Sequence, residues 1–290
     1  MTLVIAELLK SGPIVTDGAW GTQLQSLGLP SGSCPDEWNV SHPEWVEQVP
    51  RCYVEAGSQV VLTNTFRANR VALADYGLAD QVVLINQAGG AISRRAAGTQ
   101  ARVFGSIGPS GKLLFADQVT EEELRGAFAE QAQALAASGV DALVIETMAD
   151  LDEAKLALAA AQSTGLPVVA CMVFDSGKDM DRTMTGLPPE QVAKELTAAG
   201  ADVVGANCGQ GIATYVSICQ RLRAATDRPI WIKANAGMPQ IVGDQVVYET
   251  SAEQFAEYGP ALVAAGARFV GGCCGTDPEY IRSLKQQIGR

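Results

Sequence analysis

Short apolar runs alternate along this chain with longer segments in which apolar residues recur at helical spacing. The short runs are rich in β-branched residues and end at Gly, Asn, Asp or Thr, which is typical of buried strands. This pattern predicts eight strands, at residues 13–16, 58–64, 102–106, 141–146, 167–174, 202–207, 229–234 and 268–272. It predicts a helix after each of them, at residues 43–56, 79–97, 121–138, 151–163, 189–199, 213–225, 252–265 and 278–287.

The apolar character of these strands predicts how they are arranged. Strands that are apolar throughout, without alternation, belong to parallel sheets that are covered on both faces. Eight strand-then-helix units are the number that closes a barrel. We therefore predict fold class α/β and a single (β/α)8 TIM barrel, with residues 1–290 forming one domain. An open doubly wound sheet is the alternative, but residues 16–21 lack the glycine pattern that such a sheet uses to bind dinucleotides.

Composition excludes several classes of function. Hydrophobic residues make up 47% of the 290 residues and charged residues 18%, which suits a large core and not a disordered chain. A net charge of −11 leaves no basic face for nucleic acid. The sequence has no secretory signal pattern and no apolar run of about 18 residues, so we expect no membrane contact. Seven scattered cysteines are not a disulfide framework, and we expect a cytoplasmic, reduced protein.

Polar and reactive residues follow the predicted strands at their carboxyl ends, which form the catalytic face of a (β/α)8 barrel. They are Asp17, Asn64, Glu146, Asp175, Asn207, Cys208, Asn235, Cys273 and Cys274. Neighbouring side chains of a regular strand point to opposite faces, so two adjacent cysteines serve one centre only if the backbone bends. The glycines on either side of the last two cysteines permit that bend.

Three cysteines, Cys208, Cys273 and Cys274, are thus expected to meet at one place on the barrel rim. Thiolates are soft ligands and zinc accepts three of them in a tetrahedral shell, so we predict a zinc site whose fourth position is open. Two other interpretations stay open: the thiols fill the barrel as small apolar groups, or the adjacent pair forms a disulfide. The only histidine, His42, begins a predicted helix and is not expected to be a ligand.

Two carboxylates, Asp17 and Glu146, follow apolar strands and are expected at the rim with little solvent around them. An unpaired charge is costly in such a place. They either accept hydrogen bonds from rim backbone amides or act as a pair that receives the ammonium group of a substrate.

Six motifs resemble those of the zinc-dependent homocysteine S-methyltransferases, whose homocysteine-binding module also occurs in cobalamin-dependent methionine synthase and betaine-homocysteine methyltransferase. The motifs are Asp17-Gly18-Ala19-Trp20-Gly21-Thr22, Thr63-Asn64-Thr65-Phe66, Glu146-Thr147, Gly205-Ala206-Asn207-Cys208, Asn235-Ala236-Gly237 and Gly271-Gly272-Cys273-Cys274-Gly275-Thr276. The resemblance covers nearly the whole chain and implies a (β/α)8 barrel with zinc on the three cysteines.

The resemblance also implies roles for the residues around the metal. Asp17 and Glu146 would face the amino group of homocysteine, and the backbone amides near Gly18 and Ala19 would hold its carboxylate. Asn235 would occupy or border the fourth zinc position when substrate is absent.

The implied reaction moves a methyl group to the zinc-bound thiolate of homocysteine and gives methionine. The donor is either a small onium compound, such as betaine or S-methylmethionine, or a separate methyl-corrinoid protein. The alternatives are a zinc-dependent barrel hydrolase or aldolase, a methyltransferase for another thiol or selenol, and a non-catalytic zinc protein. The sequence leaves the oligomeric state open, a homodimer included.

Overall fold

A parallel barrel forms the centre of the computed structural model, which describes residues 2–242 and 245–289 and, at residues 241, 242, 245 and 246, the backbone only. The described strands are β1 (Ile14–Val15), β2 (Val60–Leu62), β3 (Arg102–Ile107), β4 (Ala142–Met148), β5 (Val168–Met172), β6 (Val203–Gly211), β7 (Ile230–Asn235), β8 (Pro239–Val242), β9 (Gln245–Tyr248) and β10 (Ala267–Gly272).

Eight of these strands form one sheet in the order β1-β10-β7-β6-β5-β4-β3-β2, and every pair in it is parallel. A parallel bridge between Thr16 and Val60 joins the two ends of this order. The predicted (β/α)8 barrel is confirmed.

Helices cover the outside of the barrel. They are α1 (Leu3–Leu9), α2 (Gly21–Ser26), α3 (Trp38–Ser41), α4 (Pro43–Glu55), α5 (Arg70–Ala74), α6 (Val82–Ala97), α7 (Glu121–Ala137), α8 (Leu151–Gln162), α9 (Pro189–Ala198), α10 (Ile212–Ala225), α11 (Ala252–Glu257), α12 (Gly259–Ala264) and α13 (Pro278–Ile288). Short 3-10 turns lie at Ala79–Gln81 and Leu114–Ala116. Within the described ranges, no helix combines the length and hydrophobicity needed to cross a bilayer.

The barrel interior is filled by large side chains. Trp231 is fully buried, and its ring centroid lies 6.0 Å from that of Phe104 and 5.1 Å from that of Phe269. Ile5 of α1 is also fully buried and belongs to this interior cluster. Helix α1 therefore closes the amino-terminal end of the barrel, opposite the predicted catalytic face.

Three features differ from the prediction. Strands β8 and β9 form an antiparallel hairpin after β7, in a segment where we predicted neither a strand nor a helix. The helix predicted at 252–265 is divided into α11 and α12, because Pro260 has no N–H for the helical ladder and its ring would clash with the carbonyl of residue 256. Helices α1, α2, α3 and α5 were not predicted, since each is too short to show a clear period.

Candidate active site

The carboxyl ends of β6 and β10 bring together the three cysteines that we predicted as metal ligands. The Sγ atoms of Cys208 and Cys274 lie 4.0 Å apart, and the Sγ atoms of all three thiols lie within 4.8 Å of one another. Metal–sulfur bonds of about 2.3 Å in a tetrahedral shell would set the sulfurs about 3.8 Å apart. The three thiols are thus spaced as a tetrahedral metal ion requires, with small adjustments.

The backbone bends at both cysteine positions. Strand β10 ends at Gly272, and a turn closed by the hydrogen bond from the Thr276 N–H to the Cys273 carbonyl, 3.1 Å long, carries the adjacent pair. Cys208 has a φ of 63°, in the left-handed region that costs a residue with a Cβ about 1 kcal/mol or more. The hydroxyl of Tyr215 donates a 2.7 Å hydrogen bond to the Cys208 carbonyl and helps to hold this conformation.

Asn235 supports the cluster from β7, the strand between β6 and β10. Its Oδ1 accepts a 3.0 Å hydrogen bond from the N–H of Cys274, and its Nδ2 donates a 2.7 Å hydrogen bond to the carbonyl of Gly209. Both ends of the amide are therefore used to connect the two loops that carry the cysteines. The predicted approach of Asn235 to a fourth metal position stays a prediction.

The three thiols form one electrostatic unit. Interactions among the three thiols lower the pKa of Cys208 and raise the pKa of Cys273 and Cys274. The three groups therefore titrate together, and a cation bound among them would favour their thiolate forms.

Asp17 lies just beyond β1 and is fully buried, and both of its carboxylate oxygens have donors. Its Oδ1 lies 2.5 Å from the Nζ of Lys233. Its Oδ2 accepts hydrogen bonds of 2.9 Å from the indole N–H of Trp20 and 2.8 Å from the N–H of Leu62. The carboxylate thus accepts a backbone amide, which was one of our two predictions for it, and also pairs with a buried lysine, which we did not predict.

Glu146, at the end of β4, has fewer partners. Its Oε1 accepts a 2.5 Å hydrogen bond from the hydroxyl of Ser106, and its Oε2 has a long 3.4 Å contact with the Nδ2 of Asn207. Burial raises the pKa of the Glu146 carboxyl to about 7, although the nearby charge of Lys233 opposes the shift. Glu146 is 8% exposed, so a group entering the rim can reach it.

Gly18 and Ala19 form the turn after Asp17. The N–H of Ala19 lies 3.2 Å from both the carbonyl and the hydroxyl oxygen of Thr276, so it has partners within the protein. A Cβ added to Gly18 would lie 2.7 Å from the ring of Tyr53 and 2.9 Å from the Thr276 hydroxyl. Glycine is required at this position by close packing. Within the described residues the N–H of Gly18 donates to no other group.

Other predicted rim residues lie outside this cluster. The side chain of Asp175 is exposed and bonds to Ser176, and Asn64 donates to the carbonyl of Pro35. His42 packs against Trp38, with ring centroids 4.7 Å apart, and has no part in the site.

Sequence reasoning missed Lys233 and Ser106 as site residues. A signal for Lys233 was present, because it is the one charged residue in the apolar run predicted as strand 229–234. A charge inside such a strand needs a buried partner. Ser106 ends the predicted strand 102–106, and nothing distinguishes it from other strand-end hydroxyls.

Comparison with known proteins gives a consistent set of matches. The family model described as homocysteine S-methyltransferase matches residues 14–288. The methionine synthase of Mycobacterium tuberculosis is 32% identical over 306 residues, and that of Mycobacterium leprae is 30% identical over 302 residues. These alignments cover 98% and 99% of this chain but 25% of each relative, so the chain spans about a quarter of their length.

A solved structure supports the same grouping. The metallated form of the Escherichia coli homocysteine methyltransferase MmuM superposes with a TM-score of 0.81 at 25% identity, covering 97% of this chain and 98% of that one. The oxidised form of MmuM, at 23% identity and a TM-score of 0.81, shows the likeness of fold.

Proposed function

The chain belongs to the homocysteine S-methyltransferase family, and from this membership we propose that it transfers a methyl group to the sulfur of homocysteine and forms methionine. The observation that carries the proposal is the group of three thiols at the catalytic face of the barrel, with a buried carboxylate nearby. The thiols can bind a metal ion that a substrate sulfur then reaches, and the carboxylate can bind an amino group.

The metal in this proposal is zinc, held by Cys208, Cys273 and Cys274. The sulfur spacing supports a tetrahedral ion, and an all-sulfur ligand set favours zinc over harder cations. When bound, zinc supplies Lewis acidity that lowers the pKa of a thiol, so that the homocysteine sulfur reacts as a thiolate without a histidine base. Asn235 keeps the two cysteine loops in register.

The remaining residues bind and orient the amino acid. In this proposal Glu146 holds the ammonium group, because its carboxylate has an oxygen without a short hydrogen bond. The free N–H of Gly18 is suited to the substrate carboxylate, while the neighbouring Ala19 N–H already bonds to Thr276. Holding both ends of the amino acid keeps its sulfur in line with an incoming methyl group.

Two classes of methyl donor fit the proposal. The net charge of −11 and Trp20 beside Asp17 favour a small onium donor, such as betaine, dimethylsulfoniopropionate or S-methylmethionine. The match to a quarter of two methionine synthases favours a methyl group delivered by a separate corrinoid protein. We further propose that residues 1–290 form one barrel domain. Because all seven cysteines are free thiols, we also propose that the protein is located in the reducing cytoplasm.

A donor panel with homocysteine as acceptor tests the proposed function. Zinc-loaded protein is incubated with betaine, dimethylsulfoniopropionate, S-methylmethionine, methylcobalamin or methylfolate, and methionine is measured by mass spectrometry. We expect methionine with at least one donor, loss of it in Cys208→Ser, and retention of it in Cys52→Ser, which removes an exposed thiol that is not part of the cluster. Methionine formed equally by both variants would contradict the assigned site, and no methionine with any donor would contradict the function.

A further inference from the structure

A cleft of about 520 Å³ lies between segment 28–45, which contains α3 and the start of α4, and the turn that follows α5. Its volume is in the range of small-molecule sites. Its lining includes neither the three thiols nor the carboxylates of the candidate active site. The proposed methyl transfer therefore gives this cleft no role.

Aromatic and imidazole rings form much of the lining, and they belong to Trp38, His42, Trp45 and Tyr76. The indoles of Trp38 and Trp45 meet edge to face, with ring centroids 5.3 Å apart, and the ring of His42 lies 4.7 Å from Trp38 and 5.4 Å from Trp45. Trp38 is buried, whereas Trp45 is 38% exposed and Tyr76 is 37% exposed. The cleft thus offers open aromatic surface on rings whose positions are fixed by packing.

The charge of the lining favours a cation. Among the described residues, the lining has one carboxylate, that of Glu37, and no lysine or arginine. The Oε2 of Glu37 accepts a 2.8 Å hydrogen bond from the hydroxyl of Ser41, which also lies 2.7 Å from the Nδ1 of His42. Within the same part of the chain, the Oε1 of Glu37 accepts no hydrogen bond. A carboxylate with a free oxygen beside exposed aromatic rings attracts a positive charge.

The chemistry of the lining also selects the kind of cation. Metal ions and primary ammonium groups are strongly hydrated, and one carboxylate among aromatic rings does not replace that water. An alkylated ammonium group is weakly hydrated, and aromatic surfaces attract both its charge and its methyl groups. We propose that this cleft binds a small organic cation with an alkylated ammonium group, which contacts the rings of Trp45 and Tyr76 and is neutralised by Glu37. This site is separate from the proposed methyl-transfer centre.

The test compares choline with 3,3-dimethylbutan-1-ol, which has the same shape but a neutral carbon in place of the charged nitrogen. Each probe is titrated against zinc-loaded protein, without homocysteine or a methyl donor, and NMR of the methyl resonance of the probe gives its dissociation constant. Cation–π attraction by two partly exposed rings is expected to make choline bind roughly fivefold or more tightly than the alcohol. Equal binding of the two probes, or no binding of choline, would overturn the proposal.

Variants locate the bound cation. Trp45→Leu and Tyr76→Leu each keep an apolar side chain but remove a ring, so each should weaken choline binding by about two- to fivefold and change binding of the alcohol less. Glu37→Gln should lower the preference for choline by about two- to fivefold. Trp20→Phe, which alters the tryptophan beside Asp17 instead, should leave choline binding unchanged.

The variants also decide between this cleft and the catalytic face. If choline binding were lost in Trp20→Phe and kept in the variants of the cleft, the cation would lie at the catalytic face and the proposal would be wrong. Trp45 packs against two other rings, so Trp45→Leu can lose stability. Tyr76→Leu and Glu37→Gln then give the same decision from other parts of the cleft. Because homocysteine is absent from every titration, a negative result leaves the proposed methyl transfer intact.

Discussion

Replacement of Gly18 by alanine is a sharp test of the packing that shapes the rim. The added Cβ would lie 2.7 Å from both the Cε1 atom and the hydroxyl oxygen of Tyr53 and 2.9 Å from the Thr276 hydroxyl, whereas ordinary contacts begin near 3.4 Å. Tyr53 is fully buried, and its hydroxyl lies 2.7 Å from the carbonyl oxygen of Ala19. The ring must move by roughly 0.7 Å, which lengthens this hydrogen bond in a packed interior.

The magnitude follows from these contacts. Overpacking a rigid site costs about 1–3 kcal/mol, and weakening one buried hydrogen bond costs about 1 kcal/mol more. We therefore expect Gly18→Ala to lower the free energy of unfolding by about 2–4 kcal/mol, measured by urea denaturation at constant m-value.

Gly21 provides a matched control three residues along the same loop. A Cβ at Gly21 meets nothing within 4 Å, and the residue begins helix α2. Gly21→Ala should leave the free energy of unfolding unchanged or raise it by up to about 1 kcal/mol. If Gly18→Ala proved as stable as Gly21→Ala, the close packing of Tyr53 on this turn would be refuted.

Further predictions concern pH, the metal and the barrel floor. The Glu146 carboxyl has a pKa of about 7, so it is neutral below that pH and charged above it. The ratio of the dissociation constant of 4-mercaptobutanoate, which is homocysteine without its amino group, to that of homocysteine should therefore rise from about pH 6 to about pH 8. In Glu146→Gln this ratio should not change with pH. Asn235→Ala removes both amide contacts that join the cysteine loops, and zinc affinity should fall about 10- to 100-fold in chelator competition. An unchanged zinc affinity would show that Asn235 does not support the cysteine cluster. Ile5→Ala should lower the free energy of unfolding by about 2–5 kcal/mol, measured by urea denaturation. Leu3→Ala, at a side chain that is 81% exposed, should lower it by less than about 0.5 kcal/mol. Equal losses in the two variants would mean that α1 does not close the barrel.

The barrel could be predicted because its evidence is local. Each barrel strand has its own apolar run and each of the long outer helices its own period, so the order of these strands and helices follows from short windows of sequence. The adjacent cysteines and Cys208 could be expected at one rim because carboxyl ends of parallel strands share one edge. The structure brings the three sulfurs within 4.8 Å.

The features that were missed depend on distant parts of the chain. Lys233 and Asp17 are 216 residues apart, and their pairing exists only when β1 and β7 are placed on either side of β10. Helix α1 has seven residues, too few to be stable alone, and it gains its stability by covering an open barrel end. The β8 and β9 strands, of sequence PQIV and QVVY, contain β-branched and aromatic residues, but each has only four residues and was too short to show a clear period in the sequence.

The account depends most directly on a zinc ion that the three cysteines hold and that homocysteine reaches. X-ray absorption at the zinc edge, on protein with and without homocysteine, identifies the atoms bound to zinc in each state. Without homocysteine, we predict that the sulfur neighbours of zinc are those of Cys208, Cys273 and Cys274. With homocysteine, we predict one additional sulfur neighbour, for a total of about four. A shell with nitrogen or several oxygens, or a sulfur count that homocysteine leaves unchanged, would contradict it.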